Sequence, residues 1–517
     1  MSIPIIDLFA GPGGLGEGFT SVLDENNKRV FRIALSIEKD EFAHQTLTLR
    51  NFTRQFEYRK FPAEYYRYMR GEITLDELYA KYPSQYKAAS QEAWLVELGP
   101  KTSHELVDAK IAKALKGEKN FIVIGGPPCQ AYSLVGRARR QQFEGLNKED
   151  PRVYLYREYY RILAAHNPCV FIMENVKGLL SSKVDNESVF NEIIHDLQNP
   201  AESYVKLEGK GKLVFNCPGY TLYSLVKRQG SDDLISGKPV FKPADFIIRT
   251  EEYGIPQTRH RVILLGVRND LKITPDILQK AEAQIVIDRV LSGLPRLRSG
   301  ISKASDSDSE WKNALENFFA NNVTNEIDPE VLEKIKSVIL KITLPQKKRG
   351  GQYIACSTNV EYNAAWYLDE KILGVCNHET RSHILKDLYR YLFVACYAEV
   401  KGHSPKLSDF PTSLLPAHLN VDKGISENKF ADRFRVQLYG HPSKTVTSHI
   451  SKDGHYFIHP DASQCRSLTV REAARVQTFP DNYYFCGPRT SQYTQVGNAV
   501  PPFLAYQIAE IVAKILA

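Results

Sequence analysis

The sequence predicts an α/β protein built on a doubly wound, mostly parallel sheet. Three observations carry that expectation. Short apolar runs (Ile3 to Phe9, Phe121 to Ile124, Cys169 to Met173) read as strands buried on both faces. The runs break into glycine, proline or an acid, as they do where loops at the carboxyl ends of parallel strands line a crevice. Between them, apolar residues return at helical spacing, as in Tyr154 to Leu163.

The elements follow in order. The first strand runs into Ala10-Gly11-Pro12-Gly13-Gly14-Leu15-Gly16, so Gly11, Gly13 and Gly16 fit GxGxxG directly after a strand. Glycine there lets the backbone approach a nucleotide closely, the opening of a Rossmann-like sheet. A second strand, Arg32 to Ile37, ends at Glu38, which lies 22 residues beyond Gly16. An acid at that distance can bind ribose hydroxyls. Residues 50–105 carry Tyr, Lys and Glu at helical spacing and read as a helical insertion whose tyrosines pack. A second insertion covers about 195–245. Arg261 to Val267 is the last strand, so the sheet occupies residues 1–268. Region 269–440 reads as a smaller mixed domain, and 441–517 returns to the first. Within these, Ser299 to Glu310 reads as a Ser/Asp linker and 345–351 as a basic loop. Arg471 to Phe479 reads as a helix stopped by Pro480, and Phe503 to Leu516 as a final amphipathic helix.

Composition narrows the function classes. The chain has 517 residues, 43% hydrophobic and 25% charged, which excludes a mostly disordered protein. No continuous run of about 18 apolar residues argues for a membrane span. The start lacks the basic n-region of a secretory signal. Eight cysteines stand without a CxxC pair, against a disulfide framework or zinc ribbon and in keeping with a reducing cytosol. Six of the thirteen histidines fall in 401–460, but no cysteine pair at metal-ligand spacing joins them, so no metal is expected. A net charge of +7 permits a nucleic-acid partner without demanding one.

Chemistry concentrates at the strand ends. Two prolines, Pro127 and Pro128, stiffen the loop that presents Cys129, a candidate nucleophile. Glu174-Asn175-Val176 follows the neighbouring strand, placing a carboxyl group across the crevice. Arg259 and Arg261 alternate at the start of another strand and suit a polar or phosphate-bearing ligand. Gln495 to Pro502 makes a rigid turn able to close over a ligand.

Taken together and in this order, these segments resemble the C5-cytosine DNA methyltransferase family, of the prokaryotic modification type. The matching stretches are Asp7 to Gly14, Gly125-Gly126-Pro127-Pro128-Cys129-Gln130, Glu174-Asn175-Val176, Gln257 to Arg261, Leu468 to Pro480, and Gly497-Asn498-Ala499-Val500. The resemblance implies an S-adenosylmethionine-dependent methyltransferase domain with a target recognition domain over 269–440. It makes Cys129 the nucleophile at cytosine carbon 6, and Glu174 the group that holds the base at its ring nitrogen. Arg261 would contact the base carbonyl oxygen and Arg259 would steady the catalytic loop. The donor would lie against Phe9, Gly11, Gly13, Gly14 and Leu15, with Glu38 on the ribose and Pro128, Asn498 and Val500 nearby. Asp108 is the candidate for the acid facing the adenine. The target base would flip out of double-stranded DNA. A loop from Cys129 to Gly145 would close over it, with Gln130, Ser133, Arg137, Arg139 and Arg140 as DNA contacts. Asn377 to Arg381 resembles a backbone-contacting pattern of some recognition domains.

Two other readings compete: an RNA methyltransferase of the same fold, and a non-catalytic DNA-binding relative. The recognition region of roughly 170 residues argues against the first, and the intact Cys129, Glu174 and Arg261 against the second. A glycine motif starting so close to residue 1 looks like a prokaryotic, cytoplasmic modification enzyme, with a restriction endonuclease or a phage-defence system as its setting.

Overall fold

The computed structural model describes residues 2–127, 151–181, 183–184, 187–208, 215–228, 241–322, 324–416 and 433–517. Its centre is an eight-stranded sheet. The strands are β1 (Ile3–Leu8), β2 (Phe31–Glu38), β3 (Ala93–Leu95), β4 (Ile122–Gly125), β5 (Val170–Val176), β6 (Tyr220–Tyr223), β7 (Ile247–Arg249) and β8 (His260–Arg268). They lie in the order β3-β2-β1-β4-β5-β8-β6, with β7 also paired to β8. The five strands from β3 to β5 are parallel. Strand β8 runs antiparallel to β5, Ile263 standing opposite Glu174.

Alternation explains why the central strands carry no polar face. Val170 and Ile172 point into one apolar cluster while Phe171 and Met173 point into another on the opposite side. Each such side chain contributes about 1.5–3 kcal/mol on burial. Helix α1 (Gly14–Thr20) covers one face, against α2 (Pro502–Leu516 in the chain's last segment), whose Leu504, Ala505, Ile508 and Val512 are buried. Among the described residues, one stretch, Arg489–Leu516, is long and apolar enough to cross a membrane. It is two helices, Arg489–Asn498 and Pro502–Leu516, and 61% of its apolar window is buried in the protein.

Three expectations change. Segment 50–105 is not wholly an insertion, because Ala93–Leu95 forms the edge strand β3 beside β2. Its helices do pack by their aromatics: Tyr65, Tyr66 and Tyr79 join Phe52 and Phe61 in a buried cluster. Segment 195–245 likewise supplies β6 to the other edge of the sheet. Finally, Ser299 to Glu310 is no linker. Ser307 caps a helix, Asp308–Glu316, and Asp306 and Asp308 pair with the buried Arg298 at 2.7 and 2.6 Å.

The second body is built around an apolar cluster from Ile301 to Ile342 and the helix Leu385–Lys401. Ile458, Ala462 and Cys465 close the same cluster, so chain beyond residue 440 also belongs to it. The basic loop at 345–351 runs directly into a strand, Gly350–Ala355, and its Arg349 pairs with Asp306 at 2.9 Å.

Candidate active site

A cavity of about 740 Å³ opens at the carboxyl ends of β1, β2, β4 and β5. On one side β1 turns sharply, Phe9 taking a positive φ of 56° and Gly11 the same value. Gly14 packs where no side chain fits: a Cβ there would stand 2.3 Å from the Val500 carbonyl oxygen. The Glu38 carboxylate is held by three backbone amides, Gly11 at 2.7 Å and Lys39 and Asp40 at 2.8 Å each. Phe9, Gly11, Gly14, Leu15, Glu38, Asn498 and Val500 all line the cavity. Gly13 does not appear on its wall. It precedes α1 with φ 90° and lets the turn pass Leu47.

Asp7 lies on the cavity floor, 1% exposed, and among the described residues neither carboxylate oxygen has a hydrogen-bond partner. Burial pushes its pKa up to about 8, against the pull of Arg54 and with a small push from Glu38. An unpartnered acid there fits a ligand that carries positive charge.

The other half of the cavity holds the reactive constellation. The Glu174 carboxylate lies 2.8 Å from Arg261 Nε, both side chains largely buried. Arg259 is 1% exposed and donates to the carbonyls of Val446 and of Gly497, the latter at 3.2 Å. Burial, aided by Arg261, depresses its pKa, and its Nε has no hydrogen-bond partner among the described residues. Asn175 donates 3.0 Å to the Pro127 carbonyl and ties the β5 end to the β4 end. Gly126 allows that approach, since a Cβ there would meet the Glu174 carbonyl oxygen at 2.1 Å. Pro128, Cys129, Gln130, Ser133, Arg137, Arg139 and Arg140 lie outside the described residues.

Two sequence expectations move. Asp108 is away from the cavity, bound to Arg161 and to His166 at 2.8 Å each. Glu97, which sequence reading missed, lines the cavity beside Glu38, with Lys39 Nζ 3.1 Å from it. The signal was its place two residues after β3, had β3 been seen. Asn377 to Arg381 is an internal bracket rather than a surface: Asn377, His378 and Thr380 are buried, and Arg381 donates to the Ile450 and Lys452 carbonyls.

Among the described residues, no three or more His, Cys, Asp or Glu side chains converge as a metal site. Two of the histidines of 401–460 have other partners: His455 Nδ1 lies 2.8 Å from the Tyr391 hydroxyl and His459 accepts from the Asp461 amide at 3.1 Å.

The family model for the C-5 cytosine-specific DNA methylase matches residues 99–201 and 245–514. The chain belongs to this family. It is a DNA (cytosine-5-)-methyltransferase. The type II methyltransferase M.Bpa9945I of Bacillus paralicheniformis is 31% identical over 532 residues, covering 99% of each chain. The type II methyltransferase M.DdeI of Desulfomicrobium norvegicum is 24% identical, covering 98% of this chain and 87% of that one. A solved structure of the Entamoeba histolytica methyltransferase EhMeth covers 100% of the methylase and 99% of its own chain, at 13% identity and a TM-score of 0.44.

Proposed function

We propose that the methylase holds S-adenosylmethionine in the half of the cavity around Glu38 and a flipped cytosine in the half around Glu174. The observation that carries this is the single cavity that joins the β1 turn to the Glu174–Arg261 pair. Carbon 5 of cytosine is a weak nucleophile. Addition of the Cys129 thiolate at carbon 6 breaks the ring's aromaticity and makes carbon 5 enamine-like. Glu174 would hold the base at its ring nitrogen and stabilise the proton taken up there, while Arg261 would bind the carbonyl oxygen. Arg259 braces this wall through Val446 and Gly497. Once carbon 5 carries the methyl group, loss of its proton to a base would expel the Cys129 thiolate and restore the ring.

S-adenosylmethionine supplies an electrophilic methyl group when bound. Glu38, its carboxylate fixed by three amides, would take the ribose hydroxyls, Glu97 the adenine edge, and Asp7 would balance the donor's positive charge. Phe9, Gly11, Gly14, Leu15, Asn498 and Val500 shape the rest of that half, with Gly13 behind the turn and Pro128 nearby. Gln130, Ser133, Arg137, Arg139 and Arg140 follow Cys129 in sequence and would meet the duplex.

The region 269–440 serves as the target recognition domain. The relatives' type II names favour a bacterial restriction-modification setting, with a restriction endonuclease or other defence component as partner and the cytoplasm as location. Transfer of a labelled methyl group to mixed-sequence duplex DNA, mapped base by base, tests the reading. Label on cytosine carbon 5 in one sequence context supports it, and label confined to RNA or absent overturns it.

A further inference from the structure

Behind Asp7, on the far side of Gly16, lies a second and much smaller cavity. It forms where α1 meets the helix Glu41–Arg54 and the turn before β2, with Glu17, Arg29, Arg50, Arg54 and Tyr58 among its walls. Its free volume is about 10 Å³, close to the least that admits one water-sized particle. All of its walls come from residues 17–61, a stretch described without a gap.

Those walls hold three guanidinium groups and one carboxylate. Glu17, 3% exposed, accepts from Arg50 Nε at 2.8 Å and from Arg54 at 3.1 Å, and its other oxygen also meets Arg50. Arg29 instead donates to the carbonyls of Arg54 and Phe56, at 3.1 and 2.7 Å. Two donors are left over. Arg29 Nε and Arg54 Nε are buried and have no hydrogen-bond partner among the described residues.

The neighbouring acids do not balance this charge. Burial pushes Asp7 up to about 8 and Glu92 up to about 7, although Arg54 pulls both down. Burial and then the Arg54 charge bring Arg29 down to about 10. Like charges crowded in a low-dielectric interior repel unless a counter-charge stands among them, and a buried donor left without an acceptor is costly.

We propose that this cavity binds one monatomic anion, chloride in ordinary salt, which accepts from Arg29 Nε and Arg54 Nε. A single halide suits the volume, whereas a phosphate or sulfate is too large for it. The ion ties the turn before β2 to the helix Glu41–Arg54. It does so directly behind Gly16, where a Cβ would stand 3.3 Å from Asp7 and 3.7 Å from Arg54. The site therefore braces the floor of the main cavity from outside it.

The test uses the full chain. Crystals are soaked in sodium bromide, and anomalous differences are recorded at the bromine edge. In solution, Tm is followed at constant ionic strength as chloride replaces methanesulfonate, for wild type and Arg29→Gln. Wild type shows a bromide peak within hydrogen-bond reach of both Nε atoms. Its Tm rises by about 3 °C with chloride and then saturates. Arg29→Gln loses the chloride effect, a comparison within one variant that a general loss of stability leaves readable. If that variant does not fold, the wild-type peak and saturation still decide. A map without bromide at this place overturns the proposal, the two donors then facing water. A peak with no chloride effect on the wild-type Tm marks an adventitious ion only, and overturns it too.

Discussion

Glu174 and Arg261 face each other across the antiparallel junction of β5 and β8, carboxylate oxygen to guanidinium Nε at 2.8 Å. The pair sits where the sheet changes from parallel to antiparallel, at the mouth of the main cavity. One member accepts and can be protonated, while the other only donates. A planar base with a ring nitrogen beside a carbonyl oxygen presents the matching pattern.

Glu174→Gln keeps the shape and removes the acid. Methyl transfer falls about 10²- to 10⁴-fold, the range for a lost proton-handling group. DNA affinity stays near wild type. Single-turnover rates with a duplex-binding assay check this, and a loss confined to binding contradicts it.

Gly126→Ala tests the joint between β4 and β5. The added methyl would stand 2.1 Å from the Glu174 backbone carbonyl oxygen and 3.3 Å from its carboxylate, so the residue must shift and carry its carboxylate away from Arg261. A misplacement of about 1 Å costs on the order of 100-fold in rate. The variant therefore loses turnover while donor affinity, measured by calorimetry, holds.

Glu97→Ala and Asp108→Asn separate the two candidate acids. Loss of a charged hydrogen bond at Glu97 weakens S-adenosylmethionine binding about tenfold. Asp108 instead pairs with Arg161 and His166, so its replacement leaves donor affinity unchanged. The opposite ranking in equilibrium dialysis would restore Asp108 to the site.

Asp7 sets a pH dependence of stability in the ligand-free enzyme. Its pKa rises from the ordinary 3.8 to about 8 in the fold. Between those values the unfolded chain has lost a proton that the folded chain keeps. Stability therefore falls as pH rises from about 4 to 8 and levels off above. Asp7→Asn removes the penalty, so its melting temperature exceeds that of wild type at pH 8 and matches it at pH 4.

His378 acts with the opposite sign. Burial lowers its pKa from 6.5 to about 4, and the ring bridges Thr469 at 2.8 Å and the Pro295 carbonyl at 3.0 Å. The unfolded chain gains a proton below pH 6.5 that the fold refuses. Up to about 3 kcal/mol of stability is lost between pH 6.5 and 4. Urea unfolding of wild type and His378→Gln across that range reads it directly, and parallel curves would contradict the assignment.

The buried strands were legible because burial on both faces leaves a continuous apolar run with nothing else to explain it. The elements missed are those whose signal is set by neighbours. Ala93–Leu95 is three residues at an edge, with Leu95 exposed, so no run marks it. Glu97 was hidden with it, since four helices separate β3 from β2 in the chain. Ser299 to Glu310 has the composition of a linker, yet its acids answer arginines at 298 and 349. Such pairings across distance leave no mark on local sequence. At the site, Glu38, Glu174, Arg259 and Arg261 could be picked out because each lies within two residues of a strand's end, next to an apolar run.

The most direct test of the central claim is a covalent trap. Duplex DNA carrying 5-fluorocytosine is incubated with enzyme and S-adenosylmethionine, and digested protein is analysed by mass spectrometry. Fluorine at carbon 5 cannot leave as a proton does, so the adduct at carbon 6 persists. The account predicts DNA bound to the peptide containing Cys129, lost in Cys129→Ala and strongly reduced in Glu174→Gln. Methylated product without any Cys129 adduct, or an adduct on another residue, would contradict it.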